Sequence, residues 1–257
     1  MELIDTNAEN ISEYAICTYK NPRLEGYQRK MAWLKERYPE GLRFRIMHDR
    51  DNGTVGTIEY IPGDETWRAV EAAGYMVVHC LFIIPKEYKG KGHGSMMLEE
   101  CMKDAGEEGM YGVAAVTRKG TWMAGKELFC KSGFEVVDKA PPDFELVVRK
   151  FKQKSPSPSF TDDWEKRLER YGSGLTILRS DQCPAVAKPL KEIILAARDD
   201  YGMEPRVIEV TDAGESRQAP SAYGAVFSLV YDGRLLVDHA ISVTRFRNLM
   251  NKALGTT

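Results

Sequence analysis

The spacing of hydrophobic residues divides the chain into helical and strand-like segments. In residues 23–38 the apolar side chains of Leu24, Tyr27 and Met31 lie three and four positions apart with basic residues among them, a spacing that predicts an amphipathic helix. Runs of apolar and β-branched residues, such as residues 75–84, predict strands instead. The chain up to about residue 150 therefore alternates between helices and strands.

The remaining elements of this region follow from the same two periodicities and from turn signals such as the Asn52-Gly53 pair. In chain order, the pattern predicts a short strand over residues 2–5, helices over 10–20 and 23–38, strands over 42–47, 54–60 and 75–84, a helix after residue 94, a strand over 113–116, a helix over 121–131, and strands over 134–137 and 144–148. This order predicts a protein of the α/β (α+β) class.

The segment that joins the strand over residues 75–84 to the next helix carries the most informative chemistry. The apolar run ends at Pro85, and a turn rich in lysine and glycine, residues 89–94, precedes an amphipathic helix. Glycine lets the backbone turn tightly and approach a ligand, and the first turn of a helix has amide N–H groups without internal partners. The helix dipole and the lysines both favour negative charge there. The segment is therefore predicted to bind a pyrophosphate.

Two known pyrophosphate motifs do not fit this turn. A Walker loop needs Lys and then Ser or Thr after its last glycine, whereas here Gly94 is followed directly by Ser95, and the glycine spacing is wrong for a dinucleotide fingerprint. The turn resembles instead the coenzyme A loop Arg/Gln-x-x-Gly-x-Gly/Ala of the GNAT acetyltransferases, with Lys89 in place of the usual arginine or glutamine. A second stretch, residues 127–135, resembles the closing signature of that family, so the likeness covers about residues 1–150.

The resemblance implies a GNAT fold, in which a mixed sheet is flanked by helices, and acetyl-coenzyme A as cosubstrate. In that family, backbone groups at the end of the central strand bind the pantetheine arm and polarise the thioester carbonyl. The expected coenzyme-binding residues are Phe82, Ile83 and Ile84 on the strand and Lys89, Gly90, Lys91, Gly92, His93, Gly94 and Ser95 in the loop. His93 occupies a variable position of the motif and is expected to contribute its backbone alone.

The sequence departs from the family at the position of the general acid. The tyrosine that often protonates the leaving thiolate aligns with Phe129, which has no proton to give. Another group, such as Cys130, Tyr111 or a water molecule, would have to donate the proton, or the thiolate leaves without help.

Candidates for the general base lie on the strands beside the expected thioester. Glu59, on the strand before the central one, is the first candidate, and His79 is the second. Either side chain can accept a proton from the incoming ammonium if its pKa suits the task. Glu71 lies on a third segment that could face the amine.

A change of composition separates a second region from the first. Residues 151–160 combine lysines with a Ser-Pro-Ser-Pro-Ser run and are predicted to form a solvated linker between domains at residues 1–150 and 161–257. The second domain is predicted to contain a helix, a strand, a helix, a strand, a loop, a hairpin and a helix, over residues 162–171, 175–178, 185–200, 205–210, 211–222, 225–239 and 244–254. This order resembles a smaller thioredoxin-like α/β domain, and the two domains together resemble the YoaP-like acetyltransferases.

The cysteine of Cys183-Pro184 lies where a thioredoxin-like fold places its reactive thiol, between the first strand and the following helix. A thiol at a helix N-terminus is expected to have a lowered pKa and to be a better nucleophile. Val186 replaces the second cysteine of a dithiol motif, so this thiol cannot run a dithiol cycle alone. The other cysteines have periodic or apolar neighbours and are predicted to be core residues: Cys17, Cys80, Cys101 and Cys130.

Composition and charge narrow the class of partner. The net charge of −2 gives no reason to expect nucleic acid, and no apolar run approaches the roughly 18 residues of a membrane-spanning helix. The five cysteines include no Cys-x-x-Cys pair, which argues against a disulfide framework and against a metal site. The N-terminus lacks the basic and apolar regions of a signal peptide, so a cytoplasmic location is expected.

The resemblance implies an N-acetyltransferase that transfers an acetyl group from acetyl-coenzyme A to an amine of a small molecule or peptide by direct attack. Two alternatives stay open. The first is a coenzyme A-binding sensor or adaptor that has lost catalysis, and the second is a redox-responsive binding protein centred on Cys183. No motif encodes the acceptor or the oligomeric state.

Overall fold

The computed structural model describes residues 1–17, 19–120 and 122–256. Its strands, in chain order, are β1 (Glu2–Asp5), β2 (Arg43–Asp49), β3 (Gly53–Pro62), β4 (Val70–Glu71), β5 (Tyr75–Ile83), β6 (Gly112–Thr117), β7 (Glu135–Ala140), β8 (Phe144–Lys150), β9 (Ser159–Phe160), β10 (Leu175–Arg179), β11 (Arg206–Glu209), β12 (Phe227–Tyr231) and β13 (Arg234–Val237). Its α-helices are α1 (Glu25–Arg37), α2 (His93–Glu107), α3 (Lys126–Lys131), α4 (Trp164–Glu169), α5 (Ala187–Tyr201), α6 (Ala213–Arg217) and α7 (Val243–Leu254). None of these helices is both long enough and apolar enough to cross a membrane.

Seven strands within residues 1–150, which we call the first domain, form one mixed sheet. Their order is β1-β2-β3-β5-β6-β8-β7, and every neighbouring pair is antiparallel except β5 and β6. Helix α2 connects these two parallel strands, because parallel neighbours need a crossover connection. It packs on the sheet through Met97, Leu98 and Cys101, which are fully buried. The mixed sheet flanked by helices that the sequence predicts is confirmed.

The parallel pair β5–β6 separates part-way along its length. Its pairing begins at Tyr75 and stops at Val78, whereas β5 continues to Ile83. On its other edge, β5 stays paired with β3 as far as Ile83. Over residues 79–83, the backbone groups that face away from β3 therefore have no strand partner in the described chain. A gap opens between the ends of β5 and β6.

Four strands within residues 161–257, which we call the second domain, form a separate sheet with the order β11-β10-β12-β13. β10 and β11 are parallel, whereas β12 is antiparallel to both β10 and β13. Helices α5 and α7 pack on one another and on this sheet, with Ile193, Phe246 and Met250 fully buried. The predicted order of strand, helix, strand, hairpin and helix is confirmed here, whereas the assignment to the thioredoxin-like fold stays a prediction.

The second domain packs directly against the first. Val77 of β5 and Ile177 of β10 belong to the same cluster of buried apolar residues. The guanidinium of Arg118 donates to the buried carboxylate of Asp238 at 2.7 Å. Strand β9 pairs with β4. The structure thus differs from the solvated linker predicted over residues 151–160, because its last two residues are bound to the first domain.

The prediction of a helix over residues 10–20 is wrong. The structure has only one 3₁₀ turn there, Ile11–Glu13. Ile11 and Ile16 are both fully buried, yet side chains five positions apart would face different sides of an α-helix. An irregular segment buries both side chains, which explains the difference. Thr18, near the end of the predicted helix, lies outside the described residues.

Two further predictions differ in their bounds. The helix predicted over residues 121–131 begins only at Lys126, and Thr121 lies outside the described residues. The predicted loop over residues 211–222 contains α6. The side chain of Asp212 accepts the N–H of the third residue of this helix and so caps it. This capping signal was present in the sequence and was missed.

Gly26 and Gly106 offer a matched test of the packing between domains, because both lie within α-helices. A β-carbon at Gly26 would overlap the carbonyl oxygen of Pro184, whereas one at Gly106 would meet only a ring carbon of Phe151 at 4.0 Å. We expect Gly26→Ala to lower the free energy of unfolding by about 1–3 kcal/mol through overpacking. Gly106→Ala should leave it unchanged or raise it by up to ~1 kcal/mol, because alanine favours the helix. Urea unfolding measures both values, and equal stability of the two variants would contradict the close contact.

Candidate active site

A large cavity lies where β5 and β6 separate. Its volume is about 850 Å³, which is in the range of small-molecule and cofactor sites. Its lining includes nine of the ten predicted coenzyme-binding residues: Phe82, Ile83, Ile84, Lys89, Gly90, Gly92, His93, Gly94 and Ser95. The tenth, Lys91, holds its ammonium 5.9 Å from the centre of the Tyr88 ring. The second domain adds Cys183, Pro184, Ala185 and Tyr223 to the same lining.

The first turn of α2 opens into this cavity. Gly92, whose φ is 85°, precedes the helix, and the first turn contains no acidic residue. The N–H of Met96 is the first to bond backward, to the carbonyl oxygen of Gly92 at 3.0 Å. The amide N–H groups of residues 93–95 therefore have no backbone acceptor within the described chain. The positive end of the helix dipole is left uncompensated.

The backbone of β5 presents alternate residues to the cavity. The N–H of Ile84 donates to the carbonyl oxygen of Val55 at 2.7 Å, on the β3 side. Because hydrogen-bonded and non-hydrogen-bonded residues alternate along an antiparallel pair, the backbone of Ile83 points to the gap instead. Phe82 directs its backbone at β3, as Ile84 does. Among the three expected strand residues, Ile83 is the one whose N–H and C=O face the cavity.

Glu59, the first candidate base, is held in a buried ion pair. Its carboxylate accepts a hydrogen bond from the ammonium of Lys30 in α1, and both side chains are almost fully buried. Burial alone would raise the pKa of Glu59, but the charge of Lys30 and a contact with His79 lower it to about 2. Glu59 lies behind the cavity lining rather than in it. Its charge neutralises Lys30 within the fold.

His79, the second candidate base, lines the cavity but directs both ring nitrogens at protein groups. Nε2 accepts the N–H of Trp67 at 3.2 Å and lies 3.0 Å from the Thr66 hydroxyl. Because Nε2 is an acceptor, the proton is on Nδ1, which lies 3.4 Å from Glu59. Burial and the nearby charge of Arg68 lower the pKa of His79 to about 4. The ring is therefore neutral near pH 7, and its basic nitrogen is occupied.

Arg68 fixes the part of the wall that the second domain supplies. Its buried guanidinium donates to the Gln182 side chain at 2.7 Å and to the carbonyl oxygens of Tyr223 at 3.2 Å and of His79 at 2.6 Å. The guanidinium carbon lies 4.8 Å from the centre of the Tyr223 ring. The Tyr223 hydroxyl donates to the carbonyl oxygen of Trp122 at 3.2 Å. These contacts hold β5 and two loops of the second domain together.

Three of the five cysteines line the cavity, namely Cys17, Cys80 and Cys183. The prediction that Cys17 and Cys80 are core residues is therefore wrong. It is also wrong for Cys130, which is exposed, whereas Cys101 is a core residue. No group of three or more His, Cys, Asp or Glu side chains in the described ranges is placed to hold a metal ion. Cys17, Cys80 and Cys183 form part of the cavity wall.

The prediction of a lowered pKa for Cys183 is wrong. Burial raises the pKa of this thiol, although a hydrogen bond from the N–H of Ala185 acts in the opposite direction. Burial also raises the pKa of Cys80, to about 12. Desolvation outweighs the amide at the turn, because it disfavours the charged thiolate. Both thiols are protonated near neutral pH.

The likeness to known proteins extends over both domains. Residues 8–134 match the model of the Acetyltransferase (GNAT) family. The chain carries a GNAT acetyltransferase domain. Over 252 residues it is 28% identical to the uncharacterized N-acetyltransferase YoaP of Bacillus subtilis (strain 168), a match that covers 96% of this chain and 98% of that protein. The chain is an acetyl-coenzyme A-dependent N-acetyltransferase.

Solved GNAT structures resemble this chain at low sequence identity. An acetyltransferase from Thermus thermophilus is 22% identical with a TM-score of 0.42, and the match covers 58% of this chain and 96% of that one. The PaiA N-acetyltransferase from Thermoplasma acidophilum, in complex with coenzyme A, is 19% identical with a TM-score of 0.41, covering 59% of this chain and 100% of that one.

The GNAT site of this chain has no tyrosine at the expected general-acid position. Phe129 stands there, buried and lining the cavity. Cys130 is exposed on α3, and Tyr111 packs against Tyr75 at the far end of β5 with 5.9 Å between ring centres. Neither of these expected substitutes is part of the cavity lining described above. Tyr223 of the second domain does line the cavity, and no pattern in the sequence indicated this.

The buried neutral ring of His79 predicts a loss of stability on mild acidification. Its pKa is about 4 in the folded chain and about 6.5 in an unfolded one. Below pH 6.5 the unfolded state therefore binds a proton that the folded state does not. The contribution of His79 to the free energy of unfolding should be constant above pH 6.5 and fall by about 2–3 kcal/mol between pH 6.5 and 4.5.

Urea unfolding across this pH range measures the fall. His79→Gln should flatten the profile, because the titrating ring is gone. His93→Gln, at the half-exposed start of α2, should keep the profile of the wild type. The same pH dependence in all three proteins would contradict a neutral, buried His79.

Proposed function

We propose that acetyl-coenzyme A binds along the gap between β5 and β6 and that the chain acetylates an amine of a small molecule or peptide by direct attack. One observation carries this proposal. The unpaired amides of the first turn of α2 and the unpaired backbone of β5 open into the same cavity. The first set of donors suits a pyrophosphate, and the second suits an extended, amide-bearing arm.

The pyrophosphate would lie at the first turn of α2. The free N–H groups of residues 93–95 would donate to it, and the helix dipole favours its charge. Lys89 lines the cavity and would add an ammonium, which acts as a point charge and lacks the fork of an arginine. A β-carbon at Gly92 would meet no atom of the chain, so glycine leaves this space to the ligand.

The pantetheine arm would pair with β5 as an added strand. Ile83 has the backbone orientation that this pairing needs, because its N–H and C=O face the gap. The thioester would then lie beside the middle of β5, near Cys80. A fixed backbone N–H directed at its carbonyl oxygen would stabilise the negative charge that develops when the amine attacks.

The reaction requires positioning rather than a covalent intermediate. The amine nitrogen attacks the thioester carbonyl, a C–N bond forms, and the C–S bond breaks. The sulfur leaves with the bonding electrons as the coenzyme A thiolate and takes up a proton. Since the acceptor begins as an ammonium, one proton is released to solvent overall. Holding amine and thioester in contact makes the encounter intramolecular, which is a large part of the rate enhancement.

Glu59 and His79 are proposed to position the site, whereas water takes the proton of the ammonium. Lys30 occupies the Glu59 carboxylate, and the N–H of Trp67 occupies the basic nitrogen of His79. Groups with pKa values of about 2 and about 4 are also weak bases for an ammonium. Glu59 instead lies 3.4 Å from Nδ1 of His79, and Arg68 binds the carbonyl oxygen of His79.

Residues 161–257 are proposed to form a thioredoxin-like (YoaP-like) domain, joined by residues 151–160 to a GNAT domain at residues 1–150. The sheet order β11-β10-β12-β13, with one parallel pair, and the turn at Cys183-Pro184 after β10 support this assignment. A redox centre at Cys183 is less favoured, because burial keeps the thiol protonated. Five free cysteines fit a reducing, cytoplasmic location.

Calorimetric titration with acetyl-coenzyme A tests the pyrophosphate site. Gly92→Asp puts a carboxylate beside the unpaired amides, whereas Gly109→Asp puts one near the other end of α2. The two glycines are matched, since φ is 85° and 70° and neither β-carbon would meet an atom of the chain within 4 Å. We expect Gly109→Asp to bind like the wild type and Gly92→Asp to bind at least tenfold more weakly, because the carboxylate repels the pyrophosphate.

Equal affinity in all three proteins would contradict the proposed position of the pyrophosphate. A folded wild type that binds no acetyl-coenzyme A would contradict the role given to the whole cavity. Circular dichroism of each variant shows whether the fold is retained.

A further inference from the structure

The cavity has two ends of different chemistry. Its charged lining side chains, Lys89, Glu127 and Lys131, all lie on the loop after β5 or on α3. The other end, which we name the acceptor half, is lined by Cys17, Tyr19, His79, Cys80, Cys183, Ala185 and Tyr223. Cys80 precedes Ile84 by four positions, about 13 Å along an extended strand. The acceptor half is therefore well separated from the pyrophosphate loop.

The acceptor half offers no partner for a charged group on a ligand. None of these seven described residues carries an acidic or strongly basic side chain, and the ring of His79 is neutral near pH 7. Behind it, Glu59 is paired with Lys30, and both Nη groups of Arg68 donate to Gln182 and to two carbonyl oxygens, so these donors are not free for a ligand. An ammonium or carboxylate that stays charged here would lose its hydration without gaining a partner, which is strongly unfavourable.

The polar groups of the acceptor half are themselves uncharged near neutral pH. Burial raises the pKa of the Tyr19 and Tyr223 hydroxyls. It also raises the pKa of the thiols of Cys17, Cys80 and Cys183. Protonated thiols and aromatic rings are polarisable surfaces that pack well against apolar and aromatic groups.

The wall supplied by the second domain is fixed before a ligand binds. The guanidinium of Arg68 lies against the Tyr223 ring, and the Tyr223 hydroxyl is bonded to Trp122. The Cys183-Pro184 turn is held against α1, where only a glycine, Gly26, leaves room for the carbonyl oxygen of Pro184. A preformed wall selects ligands by shape and avoids the entropic cost of ordering.

We propose that the second domain supplies one wall of the acceptor site through Cys183, Ala185 and Tyr223, and that the acceptor is a small primary amine with an uncharged, apolar or aromatic body. This proposal rests on the acetyl transfer proposed above. A single amine loses its charge before it attacks, so such an acceptor leaves no charge in the acceptor half. Polyamines and acidic amino acids would keep a charge there after losing one proton. The acceptor is small because it shares the cavity with the pantetheine arm.

A panel of three amines tests the acceptor class. The full-length wild type is given acetyl-coenzyme A with 2-phenylethylamine, spermidine or glutamate at equal concentration, and release of the coenzyme A thiol is measured above the amine-free rate. We expect the rate with 2-phenylethylamine to exceed both others at least tenfold. Equal or faster reaction of a charged amine overturns the proposal, as does binding of acetyl-coenzyme A without reaction of any amine. Failure to bind acetyl-coenzyme A overturns the proposed function instead.

A matched pair of variants tests the wall. Ala185→Trp narrows the acceptor half, whereas Ala253→Trp makes the same substitution on an exposed part of α7. We expect Ala185→Trp to raise the KM for 2-phenylethylamine at least tenfold and to change the Kd for acetyl-coenzyme A less than threefold. Ala253→Trp should change neither. An unchanged KM in a folded Ala185→Trp protein overturns the second-domain wall.

Cys183→Ala keeps the proposal testable if Ala185→Trp does not fold. Removing the sulfur widens the cavity at this wall, so an amine with a larger apolar body should fit better. We expect kcat/KM for tryptamine, divided by kcat/KM for 2-phenylethylamine, to rise at least threefold. A merely structural role of Cys183 would lower both values together, and an unchanged ratio overturns its place in the wall.

Discussion

The buried guanidinium of Arg68 is the interaction on which the arrangement of the two domains depends. A buried charge is tolerated only where its donors find acceptors. The acceptors here come from β5, through the carbonyl oxygen of His79, and from two loops of the second domain, through Gln182 and Tyr223. Because guanidinium is planar and carries five N–H donors, one side chain fixes all three segments. The cavity is the space that remains between them.

Pairing and neutralisation of buried groups also determine the chemistry of the cavity. Lys30 and Glu59 neutralise one another behind the wall, and His79 is held neutral by burial. Apart from Lys89, Glu127 and Lys131, the free electrostatic elements of the cavity are backbone dipoles, namely the amides at the start of α2 and the open edge of β5. In a partly enclosed cavity, such fixed dipoles would act more strongly than in bulk water on the proposed pyrophosphate and on the developing oxyanion.

Much of the fold could be predicted from the sequence, because its signals are local. Hydrophobic periodicity located the strands, and the glycine-lysine turn indicated the unpaired amides at the start of α2. The wall of the cavity could not be predicted, since Cys17, Arg68 and Tyr223 are brought together only by the packing of two domains. Burial also changed the chemistry of single residues. Lys30 occupies the carboxylate of Glu59, which the sequence suggested as a base. Burial raises the pKa of Cys183, which the sequence suggested as a reactive thiol.

Hydrogen–deuterium exchange of the full chain, with and without acetyl-coenzyme A, tests most directly whether both domains build one site. On binding, exchange should slow in residues 79–84 and 93–96 of the first domain. It should also slow in residues 182–186 and 221–224 of the second domain, because they line or support the same cavity. Slower exchange in the first domain alone, with unchanged rates in the second, would contradict a shared site.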